Sequence, residues 1–222
     1  MADISHYQLI LLGAEAWNRW RKEHSTIQPD LSGTSLVNLT LPGIDLSGTN
    51  LQNTHFHKVD LSTANLCYTN ISHARLSLTS LNMVNAQQAI CRGTQFLKSD
   101  LIRANLSEAD LSGANLSTTD LFGACLIRTV LVGTNLSWSN LSEANLSDAD
   151  LFQAQLNDAD LSAANLSRAN LRYAKLIRAQ LCDTNLRGAL LNGASLDFAN
   201  LRGAIYSPGQ LLTVASKQNM LL

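Results

Sequence analysis

The chain has 222 residues, a formal net charge of −1 and a sequence pI near 6.5. This balance excludes an overall electrostatic attraction to nucleic acid or to an anionic membrane, so we expect neither as a partner. Aromatic residues make up only 5% of the chain, and because globular cores rely on large aromatic side chains, a narrow and repetitive interior is indicated.

The first segment, residues 1–28, is predicted to be a capping helix followed by a linker. Placed at 100° per residue, Asp3 to His24 forms one amphipathic helix with two separate apolar arcs. One arc can cover the structure that follows, which leaves Leu9, Leu12 and Trp20 on the other. We predict that these three residues form a homodimer contact. Packing of Trp20 on the chain's own surface is the alternative.

The start of the chain does not fit a secretory signal, because Asp3 stands where such a signal carries positive charge and the apolar run from Leu9 to Leu12 is short. No stretch approaches the roughly 20 apolar residues that a membrane-spanning helix needs. We therefore expect a cytoplasmic protein without membrane association.

Residues 29–208 are organised in five-residue repeats. A large apolar residue, usually Leu, recurs at every fifth position from Leu31 to Tyr206, with few exceptions. A small residue stands two positions before it and Asn or Asp usually stands directly before it, giving Ala-(Asp/Asn)-Leu-x-x. Because a period of five fits neither a long helix nor a long strand, the chain must turn at every repeat. Four turns close a square coil of about twenty residues, and stacked coils can pair their backbones about 4.8 Å apart.

This motif resembles that of the pentapeptide-repeat proteins, which are abundant in cyanobacteria. The resemblance implies an all-β solenoid, a right-handed quadrilateral parallel β-helix, of about nine coils at this length, with N-terminal and C-terminal helical caps. It also implies that the central Leu and the small residue two positions earlier point inward. The other three positions of each repeat would face solvent.

A weak point is expected at Ala86 and Cys91, two consecutive central positions with small side chains. We predict a distorted coil there, or a cavity partly filled by Ile90, Met83 or Val84 turning inward, because lost core volume is destabilising.

The last segment, residues 209–222, is predicted to be a second, shorter cap. Ser207-Pro208-Gly209-Gln210 matches a capping box with Pro at the first helical position, and apolar residues follow it.

Residues that could support catalysis or bind a metal are dispersed. The four cysteines fall on separate coils, so we expect reduced, structural thiols. His55 and His57 flank Phe56 and face outward without a nearby third ligand, which makes a surface metal site the weaker alternative. The Asn and Asp residues before the central Leu are interpreted as hydrogen-bonding partners between coils. We predict no catalytic site, no metal and no cofactor, and hence a protein that is not an enzyme.

Four outward-facing residues are candidates for binding a partner. Phe152 and Tyr173 lie one coil apart on the same side, near Val132, and Trp138 interrupts the polar side next to it. Exposed aromatic residues frequently dominate protein interfaces. Scattered apolar residues without a function are the alternative.

We therefore predict a non-catalytic scaffold for protein–protein interaction, with a regulatory role among its uses. The resemblance implies an alternative, a DNA mimic that binds DNA gyrase or topoisomerase. Charge argues against mimicry, because the most acidic side has a net charge of about −4, whereas about 40 Å of duplex DNA carries more than about twenty charges. The repeats also lack an inserted loop.

Overall fold

The repeat region of the computed structural model is a parallel β-helix. Backbone bridges join residues twenty positions apart, from Asp30↔Asn50 to Asn185↔Ile205, and recur at nearly every fifth residue. The predicted four-sided solenoid is therefore confirmed. The structure describes residues 3–222. Met1 and Ala2, which belong to the predicted cap segment 1–28, lie outside the described residues.

The repeat around Leu131 shows why a five-residue unit is stable. The N–H groups of Leu131 and Gly133 donate to the next coil, at Asp150 O (2.7 Å) and Phe152 O (2.9 Å). The N–H of Thr134 closes the turn onto Leu131 O (3.1 Å), and its hydroxyl donates to a carbonyl of the preceding coil (2.8 Å). These backbone donors are thus satisfied without a helix or a long strand.

The core is built from the two inward positions of each repeat. Central residues such as Leu106 are 2% exposed, and corner residues such as Ala104 are 0% exposed. Because two large side chains per side would exceed the density of a narrow interior, a small corner residue accompanies most central Leu residues. The inward orientation that the motif predicts is confirmed.

One side of the solenoid contains four short strands: β1 (Ser35–Val37), β2 (His55–His57), β3 (Arg75–Ser77) and β4 (Gln95–Leu97). They form one parallel sheet in the order β1-β2-β3-β4. From Leu116 onward the same side closes each turn with a hydrogen bond, as at Thr119 N–H to Leu116 O (3.3 Å). Both phenylalanines of the buried core, Phe56 and Phe96, lie in this sheet.

Of the outcomes predicted at Ala86 and Cys91, the distorted coil and the inward turn of Ile90 or Met83 are wrong. The ladder continues through both residues, with hydrogen bonds to Asn105 O (2.8 Å) and Asp110 O (2.7 Å). Ile90 and Met83 point outward and are 39% and 56% exposed, while Val84 occupies an ordinary buried corner position. The backbone pairing does not depend on side-chain size, so smaller core residues leave the coil regular.

The N-terminal cap is formed by two helices, α1 (Ile4–Ile10) and α2 (Ala14–Glu23), in place of the single helix predicted from Asp3 to His24. The helix is interrupted at Gly13, whose φ of 94° is incompatible with a right-handed helix. Ile10, before the break, and Trp17, after it, are both 0% exposed and pack into the core. The Trp17 indole N–H also donates to Asp45 O (2.7 Å).

The C-terminal segment contains one 3₁₀ helix, Gln210–Thr213. Half of the expected capping box is present, because the N–H of Ser207 donates to the Gln210 side chain (2.9 Å). After this helix the chain pairs with the last coil again through the bridges Ser195↔Ser216 and Asn200↔Leu221. These partners are 21 residues apart, one more than in the repeats. The cap is therefore a short helical turn followed by a further stretch of solenoid.

Candidate functional site

Phe152 and Tyr173 form an aromatic pair on the outer surface. Their ring centroids are 5.7 Å apart and the rings meet edge to face at 80°. Tyr173 is 57% exposed and Phe152 is half-buried. Val132 is also half-buried and occupies the same repeat position as Phe152, one coil earlier. We refer to Val132, Phe152 and Tyr173 as the aromatic patch.

The solenoid holds these rings in fixed positions. Phe152 follows the central residue Leu151, and its N–H donates to the Asp150 carboxylate (3.2 Å). Tyr173 has a φ of 59°, the left-handed conformation found two positions after each central residue. Its ring lies over Gly193 of the next coil, where an added Cβ would be 2.6 Å from the ring. Gly193 is thus required for this orientation of Tyr173.

Trp138 is 62% exposed but belongs to the next side of the solenoid. Its neighbour one coil later is Asp158, which pairs with Arg178 (2.6 Å). The structure therefore brings together three of the four predicted residues and leaves Trp138 apart from them.

Sequence analysis overlooked a second set of exposed apolar side chains, on the side of strands β1 to β4. Val37, Leu78 and Leu97 are 43%, 45% and 46% exposed. A signal was available, because each is a large apolar residue at a position that the motif assigns to solvent.

Some charged side chains on the outer surface are paired between neighbouring coils. Arg168 pairs with Asp148 (2.6 Å), and Arg128 pairs with Glu108. Acids and arginines therefore alternate from coil to coil at one outward repeat position. The hydrogen bond from Arg168 lowers the pKa of the Asp148 carboxyl. Hydrogen bonds from Gln88 and Arg128 lower the pKa of the Glu108 carboxyl in the same way. These acids do not combine into a continuous negative surface.

The side chains that precede the central residues act in the fold. Asn105 donates to Asn85 (3.0 Å) and Asn185 donates to Asn165 (3.1 Å), each across one coil. The Asn165 oxygen also accepts the N–H of Ser167, two residues later (3.1 Å). The predicted hydrogen bonding between coils is confirmed for these pairs, and the same oxygens stabilise the turn.

The thiols and histidines form no reactive arrangement. All four cysteines are free, and burial raises the pKa of the Cys91 thiol to about 12. Burial also raises the pKa of the Cys67 thiol. His55 and His57 lie at the two ends of β2. Within residues 3–222, no group of three His, Cys, Asp or Glu side chains is placed to hold a metal ion.

Two of the three predicted dimer residues are engaged within the N-terminal cap. Leu9 is half-buried and packs against the core. The Trp20 ring stacks on His24 (5.1 Å) and meets His6 edge to face (5.0 Å). Only Leu12, 72% exposed, is free, and it is joined by Ile4 (71%). The assignment of Leu9 and Trp20 to a free face is therefore corrected.

A solenoid with a filled core and variable outer side chains is typical of repeat proteins that use their extended surfaces for binding. A family model described as pentapeptide repeats matches overlapping stretches between residues 30 and 205. The chain belongs to the pentapeptide-repeat family. In keeping with this fold, no helix among residues 3–222 has the length and apolar character to cross a membrane.

Several solved structures are similar to this chain. HetL, a pentapeptide repeat protein involved in heterocyst differentiation regulation from the cyanobacterium Nostoc sp. strain PCC 7120, is 31% identical over 86% of this chain and 97% of its own, with a TM-score of 0.45. QnrB1, a plasmid-mediated fluoroquinolone resistance protein, is 18% identical in its trypsin-treated form over 80% of this chain and 92% of its own, with a TM-score of 0.37. A pentapeptide repeat protein from the Arabidopsis thaliana thylakoid lumen is 21% identical over 64% of this chain and 67% of its own, with a TM-score of 0.31. A search of curated protein sequences found no match.

Proposed function

We propose that this protein is a non-catalytic repeat scaffold that binds a partner protein through the aromatic patch. The carrying observation is the edge-to-face pair of Phe152 and Tyr173, held on the surface with Tyr173 57% exposed. Rings that are already ordered lose little conformational freedom on binding, which favours their use as anchors.

The partner surface should be apolar and concave enough to receive the Tyr173 ring. Val132 extends the contact area along the same side, one coil before Phe152. Interfaces of this kind concentrate their binding energy in a few aromatic side chains. The proposal therefore places most of the affinity on Phe152 and Tyr173, with a smaller contribution from Val132.

The alternative, a DNA mimic that binds gyrase or topoisomerase, has less support. Asp148 and Asp158 both pair with arginines of the following coil. Mimicry of duplex DNA requires a dense and unmatched series of negative charges.

Photo-crosslinking tests the aromatic patch, because this chain offers a matched control. A photoreactive phenylalanine analogue is introduced at Tyr173 or at Tyr68, which is 66% exposed and has nearly the same backbone conformation on another side. In lysate of the source organism, a discrete adduct should form from position 173 and be absent from position 68.

The adduct should also disappear when Phe152→Ala is added to the Tyr173 analogue. Equal labelling from both positions, or an adduct that persists without Phe152, would overturn the proposal.

We further propose a cytoplasmic location and a homodimer formed through the N-terminal cap. Four free thiols support the location, because oxidising compartments favour disulfides. The exposure of Leu12 and Ile4 supports the dimer, because burying solvent-exposed apolar side chains at an interface is energetically favourable.

A further inference from the structure

The side that contains strands β1 to β4 differs in charge from the rest of the surface. We define the sheet face as residues 35–38, 55–58, 75–78 and 95–98. These ranges contain Lys58, Arg75 and Lys98 and neither Asp nor Glu. None of the three cations forms an ion pair within the described residues, whereas Arg128, Arg168 and Arg178 on other parts of the surface do. The sheet face therefore has unmatched positive charge.

Apolar side chains lie among these cations. Val37, Leu78 and Leu97 are all more than two fifths exposed. Leu78, Leu97 and Lys98 also line a shallow depression with Ser117 and Thr118, where the extended strands give way to hydrogen-bonded turns. A partner that fits this face must offer both carboxylates and apolar groups.

The spacing of the side chains specifies the partner further. Lys58, Leu78 and Lys98 occupy the same repeat position in three successive coils. At about 4.8 Å per coil, Leu78 lies about 5 Å and Lys98 about 10 Å from Lys58 along the axis. An α-helix rises about 1.5 Å per residue, so positions i, i+3 and i+7 lie at about 0, 4.5 and 10.5 Å. A helix along the axis with acid, apolar and acid residues at these positions matches the cation, Leu and cation series.

Addition of a strand is disfavoured, because the backbone of this side is already paired. The N–H of His55 donates to Thr34 O (2.9 Å) and the N–H of Lys58 donates to Ser77 O (3.0 Å). Recognition must therefore use the outward side chains.

We propose that the sheet face binds an acidic amphipathic helix of a partner protein. Lys58 and Lys98 pair with its carboxylates, Arg75 adds a third positive charge, and Leu78 and Leu97 contact its apolar stripe. This binding is independent of the aromatic patch, which lies in later coils.

The probe is a synthetic helical peptide of about fourteen residues, long enough to span three coils. It carries Glu, Leu and Glu at i, i+3 and i+7, and its control is a helix of the same composition with these residues on different faces. Binding is measured by fluorescence anisotropy at low salt, where exposed charges are least screened. The designed peptide should bind at least about tenfold more tightly than the control, a difference of about 1.4 kcal/mol.

Two triple variants separate the face from the overall charge. Lys58→Glu, Arg75→Glu and Lys98→Glu together should weaken binding at least about tenfold. Arg103→Glu, Arg187→Glu and Arg202→Glu change the net charge equally on other sides and should leave it unchanged. Leu78→Ala with Leu97→Ala should weaken it severalfold without a change of charge. Equal affinities for the two peptides, or equal losses in the two triple variants, would overturn the proposal.

Discussion

Exchanging Ala and Gly two positions after a central residue should change stability with opposite signs at two sites. Ala163 has a φ of 57° and Gly113 a φ of 63°, both in the left-handed region. Both positions face solvent, and an added Cβ at Gly113 would meet no heavy atom within 4 Å. Both residues also donate to the next coil, at 2.8 Å and 2.9 Å. The change in stability on exchanging Ala and Gly at either site therefore reflects the backbone conformation and not a lost contact.

The magnitude follows from two opposing contributions. A side chain in the left-handed conformation costs about 1 to 2 kcal/mol, while the greater freedom that Gly loses on folding costs about 0.5 to 1 kcal/mol. Ala163→Gly should therefore raise the free energy of unfolding by about 0.5 to 1 kcal/mol, and Gly113→Ala should lower it by a similar amount.

Urea denaturation followed by far-UV circular dichroism measures both changes, with the m value as a check that the cooperative unit is unaltered. Ala164→Gly is the control, because Ala164 is a buried corner residue without a positive φ. That substitution should destabilise the protein by about 1 kcal/mol or more. If Ala163→Gly lowers stability as Ala164→Gly does, or if the Ala163 and Gly113 substitutions act in the same direction, the reasoning fails.

Three further predictions concern the core, the charged corner and the cap. Cys91→Leu adds apolar volume in a regular coil and should raise the free energy of unfolding by about 1 to 1.5 kcal/mol in the same urea assay, so a loss would show that the core there is already full. Arg168→Gln removes the partner that lowers the Asp148 pKa. The stabilisation from this pair is present above the unfolded pKa near 3.8 and is lost as the pH falls through the lower folded value. The difference in melting temperature between variant and wild type should therefore shrink between about pH 5 and pH 2. Light scattering should show a dimer that Leu12→Glu makes monomeric and that Leu212→Glu, at a similarly exposed leucine of the C-terminal segment, leaves intact. A monomeric wild-type protein would contradict the dimer.

The five-residue period predicted the coil and the register of the ladder, and the resemblance to pentapeptide-repeat proteins supplied the inward positions. Register in a solenoid depends on a regular repeat, and a shift by one residue would bring Asn or Asp into the core. The local shape of each turn could not be predicted from one repeat, because it depends on the coils above and below. Leu36 lies in an extended strand beside Phe56, whereas Leu116 begins an ordinary hydrogen-bonded turn.

The N-terminal cap shows a different limit of the pattern. Apolar residues continue at helical spacing through Gly13, so the helical wheel alone gives one helix. The structure instead turns at Gly13, whose φ of 94° separates α1 from α2, while Ile10 before the turn and Trp17 after it both pack into the core. Which apolar arc remains exposed depends on that break, so Leu9 and Trp20 could not be assigned from the sequence.

Candidate sites were predictable where the spacing was close to one coil. Phe152 and Tyr173 are separated by one coil and one further residue, which places their rings in adjacent coils and in contact. Trp138 lies on the next side of the solenoid, so its position in the repeat does not bring it close to Phe152 or Tyr173. Leu78 and Leu97 each depart from the motif by placing a large apolar residue at a solvent position, and their significance depends on the cations of the sheet face, which itself contains no carboxylate.

The two proposed surfaces should act independently, and the architecture gives the reason. Each coil contacts mainly the coils next to it, so a substitution at an outward position is not expected to alter the structure of a distant coil. The sheet face ends at residue 98, whereas the aromatic patch begins at Val132 on an adjacent side, about 8 Å further along the axis at about 4.8 Å per coil. Substitutions this far apart without shared partners generally have additive effects. A variant of the sheet face that also abolishes crosslinking from Tyr173 would therefore indicate one partner that spans both surfaces, since the fold itself offers no other route for coupling.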